Sequence, residues 1–331
     1  MLATAKSHGM LVSLWLCAFS ILGAIALSGS ALATTLCLRT KANGAIKGPT
    51  TVGGSTCKAG YEPIELPSAN ELELLKHASY EAEGVDKKPT VVFSGVNVQV
   101  ESGAGREEES NGEGNLIVGY DERPGEQTGS GNLVLGTVKQ TYTGFGSFLA
   151  GTTNTAANDY VSVSGGAGNT ASGFRSSVTG GTENTAAGAD DSVTGGNGNT
   201  AESFESSISG GIFNTASAVG ASVSGGYRNK ATENTASISG GEDNVASGDD
   251  AYVGGGFAST AAARWDTISG GYENLAEGEE ADSISGGFEN RSIGAHQSWI
   301  GGGHENTASA SYASIFGGKS LTASKEYEAL P

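Results

Sequence analysis

The sequence predicts a mainly β protein: a parallel β-roll, or β-solenoid, of about twelve 15-residue coils behind a small N-terminal segment containing one helix. Three observations predict it. Gly-Gly doublets begin at residues 165, 180, 195, 210, 225, 240, 255, 270, 286, 302 and 317, a period of 15 with two one-residue insertions. Two positions before each doublet stands a β-branched residue, as in Val163, Val178, Val193 and Ile208. Six positions after its first Gly stands Ala, from Ala171 to Ala276, then Ser292, Ala308 and Ala323. Fifteen residues suffice for two short strands and two turns. A helix-pair repeat needs more than about 30, and Gly doublets would break its helices.

Residues 1–33 read as a signal peptide. Lys6 and His8 precede the apolar run Met10 to Leu27, and Ala31-Leu32-Ala33 fits a small-x-small cleavage site. The mature chain is then expected to begin at Thr34 and to be secreted or held at the cell surface. A run this long also fits an uncleaved anchor. No later stretch could span a bilayer. Segment 34–88 keeps Cys37 and Cys57, an even pair in an exported chain, and a disulfide between them is expected. It would stabilise the segment by about 2–4 kcal/mol.

Residues 66–80, LPSANELELLKHASY, read as one helix with Ser68 or Asn70 at its cap and Leu72 and Leu75 on its apolar side. A β-rich cap is expected over 89–135. There Val96, Val98 and Val100 alternate with polar residues, and GEGNLIVGYDE and GSGNLVLGTVK look like degenerate first turns. The roll follows over 136–325, and 326–331 is left as a tail.

Within the repeat, the doublet lets the chain turn sharply and lets neighbouring backbones approach. Asn recurs after it at 154, 169, 184, 199, 214, 229, 244, 274, 290 and 306. Asn tolerates the left-handed region, and stacked about 4.8 Å apart it can form amide ladders. A core of Val and Ala is thin, so burial shared between chains is the expected remedy.

The phrases SVSGGAGNTASG, SSISGGIFNTAS and SISGGFENRS resemble the head repeats of YadA-type trimeric autotransporter adhesins. The resemblance covers roughly 112 to 323. It implies a left-handed parallel β-roll that associates as a homotrimer and an adhesive role. The chain departs from that family in its Gly doublet, and it shows no heptad stalk and no membrane barrel after the last repeat. The repeat positions are architectural, so no functional residue carries over.

Charge and chemistry narrow the function. A formal charge of −18 argues against a nucleic-acid partner and against adsorption to anionic lipid. His8, His77, His296 and His304 form no catalytic constellation, and neither catalytic residues, nor a metal, nor a cofactor is expected. Calcium-binding β-helix repeats have a period of nine, not 15. The acid pairs Asp190-Asp191, Asp249-Asp250 and Glu279-Glu280 read as solvated turn residues.

The candidate ligand-binding residues are Tyr227, Phe257, Tyr272 and Phe288, which follow their doublets in one register, with His304 continuing it and Glu242 interrupting it. Such a stripe suits a sugar ring or a protein surface. The expected function is a non-enzymatic, adhesin-like surface module with an extracellular glycan or protein ligand. The alternatives are an ice- or crystal-binding solenoid and a polysaccharide-active β-helix. The first rests on the column Thr155, Thr170, Thr185, Thr200 and Thr215, which fails at Lys230, Val245, Leu275 and Arg291. The second lacks a convergent acid cluster.

Overall fold

The computed structural model describes residues 76–106, 109–120, 125–294 and 296–331, together with the backbone of three earlier strands. The chain divides into two units, 1–98 and 99–331.

In the first unit, β1 (Thr35–Leu38) lies between β2 (Thr51–Gly53) and β3 (Glu62–Glu65), antiparallel to both. A separate antiparallel pair joins β4 (Ala78–Glu81) to β5 (Thr90–Phe93). Here the expected helix over 66–80 needs correction. Its last residues, Ala78 to Tyr80, are extended and pair with Phe93, Val92 and Val91. A β-branched partner strand overrides the local helical spacing. Lys76 and His77 form a turn just before Ala78. Residues 66–75, the signal peptide and Cys57 lie outside the described residues, and so does the Cys37–Cys57 pairing. Among the described residues there is no α-helix, only a single 3-10 turn at Val85–Lys87. None of their helices is long and apolar enough to cross a membrane.

The second unit is a parallel β-solenoid. Its coils build two sheets. One has thirteen strands, running from Thr141–Tyr142 to Thr322–Ala323. The other has fifteen, running from Leu116–Val118 to Ala329–Leu330. Most regular coils place Ser-Val or Ser-Ile in one sheet and Thr-Ala in the other, with exceptions such as Tyr252–Val253, Trp299–Ile300, Lys230–Ala231 and Arg291–Ser292. The registers are in step: Val163 faces Val178, and Ala171 faces Ala186. The two near-copies before the repeat do form early strands, at Leu116–Val118 and Leu133–Val138. The last strand, Ala329–Leu330, pairs with Ser314–Ile315, so the solenoid runs into what the sequence leaves as a tail.

The two predicted columns form most of the core, and Val161, Ala221, Ala236, Ala251 and Ala313 add to it from a third position. Val163, Val178, Val193, Ile208 and their successors are sealed from solvent, as are Ala171 to Ala276 and then Ser292, Ala308 and Ala323. Each side chain packs on its own kind one coil away, which is why the repeat tolerates so little variation there.

Three corners turn each coil, and each uses the left-handed region. The second Gly of the doublet has φ between 79° and 100° from Gly166 to Gly318. At most of these glycines an added Cβ would strike the carbonyl oxygen of the next coil's second Gly. The first Gly of most doublets meets nothing within 4 Å. The second corner is the residue before the Asn, as in Glu183 (φ 54°) and Arg228 (φ 55°). The third includes Arg175 (φ 57°) and Trp265 (φ 62°).

The Asn column therefore does not supply the left-handed residue; its neighbour does. The Asn side chains point inward, fully buried, and form the expected ladder. Asn199 is typical. Its backbone N–H donates to Asn184 Oδ1 at 3.0 Å. Its Nδ2 donates to Gly195 O and Gly211 O, both at 2.9 Å, and meets Asn184 Oδ1 at 3.2 Å. One amide thus bonds the coil before it, its own doublet and the coil after. At Ser259, where the Asn is missing, the backbone N–H still donates to Asn244 Oδ1 at 3.0 Å.

The two glycines of one doublet should respond differently to the same change. Gly226→Ala places a methyl against Gly241 O and Asn229 Nδ2, in a strained φ. It should cost about 3 kcal/mol or more. Gly225→Ala meets open space and should stay within about 1 kcal/mol of the wild type. Thermal melting of the two variants checks this, and equal melting temperatures would refute the close-approach account.

Candidate binding surfaces

The four predicted aromatics all lie on the edge beside the doublets, in one continuous ladder of parallel bridges that includes Glu242 and His304. The ladder gathers three of the four. Phe257 and Tyr272 stack with centroids 5.0 Å apart and planes 13° apart, and Tyr272 and Phe288 at 4.7 Å and 2°. His304 meets Phe288 edge to face at 4.9 Å. Tyr227 stands apart beyond Glu242, edge-on to Phe213 and beneath the Arg228 guanidinium. The hydrogen bond and charge of Glu273 raise the Tyr272 phenol above its ordinary value.

Parallel stacking has a consequence for ligands. Each such contact covers a face on both rings, so Tyr272 offers solvent its edge. Tyr272 and Phe288 remain 39% exposed, but through their rims. A sugar ring, which stacks on an aromatic face, finds little face here.

A second surface was not legible as one in the sequence. The Val-bearing strands carry an outward row of Ser162, Ser177, Ser192, Ser207, Ser222 and Ser237. Beside it runs Ser164, Thr179, Thr194, Ser209, Ser224 and Ser239, still in register through bonds such as Ser164 N–H to Val178 O at 3.0 Å. The opposite sheet carries the predicted Thr155 to Thr215 column. Serine reads as turn chemistry in a sequence, and only the strand alternation gives these rows one direction.

The acid pairs also need correction. Asp191 is not solvated: it is 1% exposed and belongs to a buried column with Ser176, Ser206, Asp266, Asp282 and Ser298. Its role is architectural. Asp191 Oδ2 accepts the Gly188 N–H at 2.6 Å and Oδ1 accepts the Ser206 N–H at 2.9 Å. Asp266 repeats the pattern with the N–H groups of Ala263 and Asp282, at 2.8 and 2.9 Å. In the next coil an inserted residue lengthens the turn, and Asp282 Oδ2 is left without a hydrogen-bond partner. Burial raises the pKa of all three carboxyls, and that of Asp266 reaches about 6, with the charge of Asp282 adding to it.

Ion pairs bridge coils at the surface, among them Arg175 with Asp190 at 2.6 Å, Arg228 with Asp243 at 2.8 Å and Arg291 with Glu277 at 3.3 Å. Glu289, His304 and Glu305 bring ligand atoms within 4.8 Å of one another. One imidazole and two carboxylates could hold a divalent cation. Surface groups in so acidic a chain also come this close without one. No known protein family and no curated protein matches the chain.

Asp266 makes stability depend on pH in a defined direction. Its folded pKa lies above the unfolded value of about 4, so the folded state holds the proton more tightly. That contribution is complete below about pH 4 and is lost as pH rises through about 6, a change on the order of 1–3 kcal/mol. Melting temperature should therefore fall between pH 4 and pH 8, and Asp266→Asn should flatten the slope. An unchanged slope in that variant would remove Asp266 as its cause.

Proposed function

We propose that this chain is a non-enzymatic, secreted or cell-surface repeat protein that presents a repeated adhesive surface, in the manner of YadA-type heads. One observation carries the reading. The repeat spends its invariant positions on the scaffold, in the Val, Ala, Asn and Gly columns, and leaves its outward rows to be displayed in register. A catalytic centre converges a few groups at one point, whereas this architecture multiplies the same small surface along an axis.

The active form in this reading is a homotrimer that binds an extracellular glycan or protein. Each coil buries little beyond one Val or Ile and one Ala, so an assembly that covers one outer face adds burial that a single coil lacks. The Ser and Thr rows are small enough for two copies to approach closely. Closed threefold symmetry hides one face per chain without generating an open fibre, and weak sites repeated three times act together by avidity. Light scattering of the mature protein at micromolar concentration should give three times the chain mass. A folded monomer would overturn the trimer.

The double hydroxyl row favours a second reading, binding to ice or a crystalline solid. Two rows of Ser and Thr in register on one strand face can template ordered water. In that reading Thr179→Lys with Thr194→Lys abolishes inhibition of ice recrystallisation and leaves melting unchanged. No inhibition by the wild-type protein eliminates it.

A further inference from the structure

A recess in the second unit lies where the repeat begins. A cleft of about 480 Å³ opens between the loop 99–106 and the first coils. Its origin is a missing side chain. The third-corner column carries Tyr160, Arg175, Asp190, Glu205 and then a lone Gly220 in successive coils, whereas Gly131 and Gly146 leave two adjacent coils bare before them. Those two glycines bare the floor. An added Cβ at Gly146 would press on the Tyr160 ring at 3.0 Å, whereas at Gly131 the nearest atom is 4.0 Å away.

One wall is aromatic. Phe145 and Tyr160 meet edge to face at 4.9 Å, and Tyr160 meets Phe174 the same way at 5.9 Å. An edge-to-face contact covers one ring face where a parallel contact covers two. Tyr160, in the middle of this ridge, is 47% exposed. The facing wall is polar and carries Gln99, Glu101 and Arg106. Gln99 donates to Glu101, and Arg106 is steadied by Glu109 at 2.9 Å.

The loop is pinned in place. The buried Ser130 Oγ accepts the Asn111 N–H at 2.8 Å and donates to Asn111 Oδ1, while Asn111 Nδ2 donates to Ser102 O at 2.8 Å. The recess is thus built before any ligand arrives, and its volume suits a small organic molecule.

We propose that this cleft binds a pyranose unit of a glycan, its C–H face on the Phe145–Tyr160 wall and its hydroxyls toward Gln99, Glu101 and Arg106. A pyranose has that same duality: one apolar face and a rim of groups that both donate and accept. Carboxamide, carboxylate and guanidinium supply acceptors and donors in planes that match paired hydroxyls. The proposal rests on the adhesive reading only for the glycan's extracellular source.

The test is a glycan array of neutral, sialylated and uronate-bearing oligosaccharides, probed with the full mature chain. The best-bound oligosaccharide is then titrated calorimetrically against variants. Tyr160→Ala removes the wall. Gly131→Gln fills the floor in a column where Gln297 already adopts φ 51°, so the fold should survive it. Either variant should weaken binding at least tenfold, while Phe288→Ser, on the remote stack, should leave it intact. Binding unchanged in Gly131→Gln at wild-type melting temperature overturns the cleft. A wild-type chain that binds no glycan overturns it too. If that chain still adheres to a protein ligand, the adhesive reading stands without the sugar site.

Discussion

The contact on which this solenoid depends is the carboxamide buried at the doublet corner. The second Gly of one coil lies so close to the second Gly of the next that no side chain fits between them. The carbonyls forced into that corner need donors, and the Asn Nδ2 supplies them, as Asn199 does for Gly195 and Gly211. Its Oδ1 meanwhile takes the backbone N–H of the following Asn. Gly and Asn are therefore one device: the glycine creates the close approach, and the amide satisfies the polar groups that closeness buries. Because these amides bond their own doublet and the neighbouring coils, stability passes along the axis by nearest-neighbour coupling. A large apolar core is not required, and the columns of Val and Ala need only exclude water.

How far the sequence reveals this depends on whether a column is defined by identity or by size. Doublets, Val, Ala and Asn recur by identity, so the solenoid, its register and its two strand types are legible. The buried Asp–Ser column recurs only by size and burial. Val161, Ser176, Asp191, Ser206 and Ala221 share one position and no common chemistry, so Asp191 reads as a solvated turn. Asn was expected at the left-handed corner because its intrinsic preference points there. The fold gives that corner to the preceding residue, even to Phe213, because the amide is worth more inside. The helix expected over 66–80 fails at its end because pairing with Thr90–Phe93 outweighs a short apolar spacing.

The two one-residue insertions fall in the same turn of consecutive coils, between the Ala column and the buried carboxyl or hydroxyl. Asp266 has the three-residue reach that lets it accept the Ala263 N–H. Asp282 has one residue more and loses the equivalent bond. The strands on either side keep register nonetheless, Thr267 with Ser283 and Leu275 with Arg291. A solenoid of this kind absorbs an extra residue at a corner and passes the cost to a buried polar group rather than to the sheets. That cost is electrostatic, and it leaves Asp282 raised by burial beside Asp266 in the adjacent coil.

Regularity also limits what such a surface can recognise. A stack of identical coils produces rows, and rows bring like beside like: hydroxyl on hydroxyl, ring on ring. Where large rings fall into register, as at Phe257, Tyr272 and Phe288, they satisfy one another and present only edges. The predicted aromatic stripe is for that reason a better clamp between coils than a platform for a ligand. Concave chemistry needs the repeat to lapse. It lapses where Gly131 and Gly146 leave two adjacent coils without a side chain in one column, and where a loop held by Ser130 folds over the vacancy. The copies thus set the length and stiffness of the display, and the irregular first coils set its selectivity.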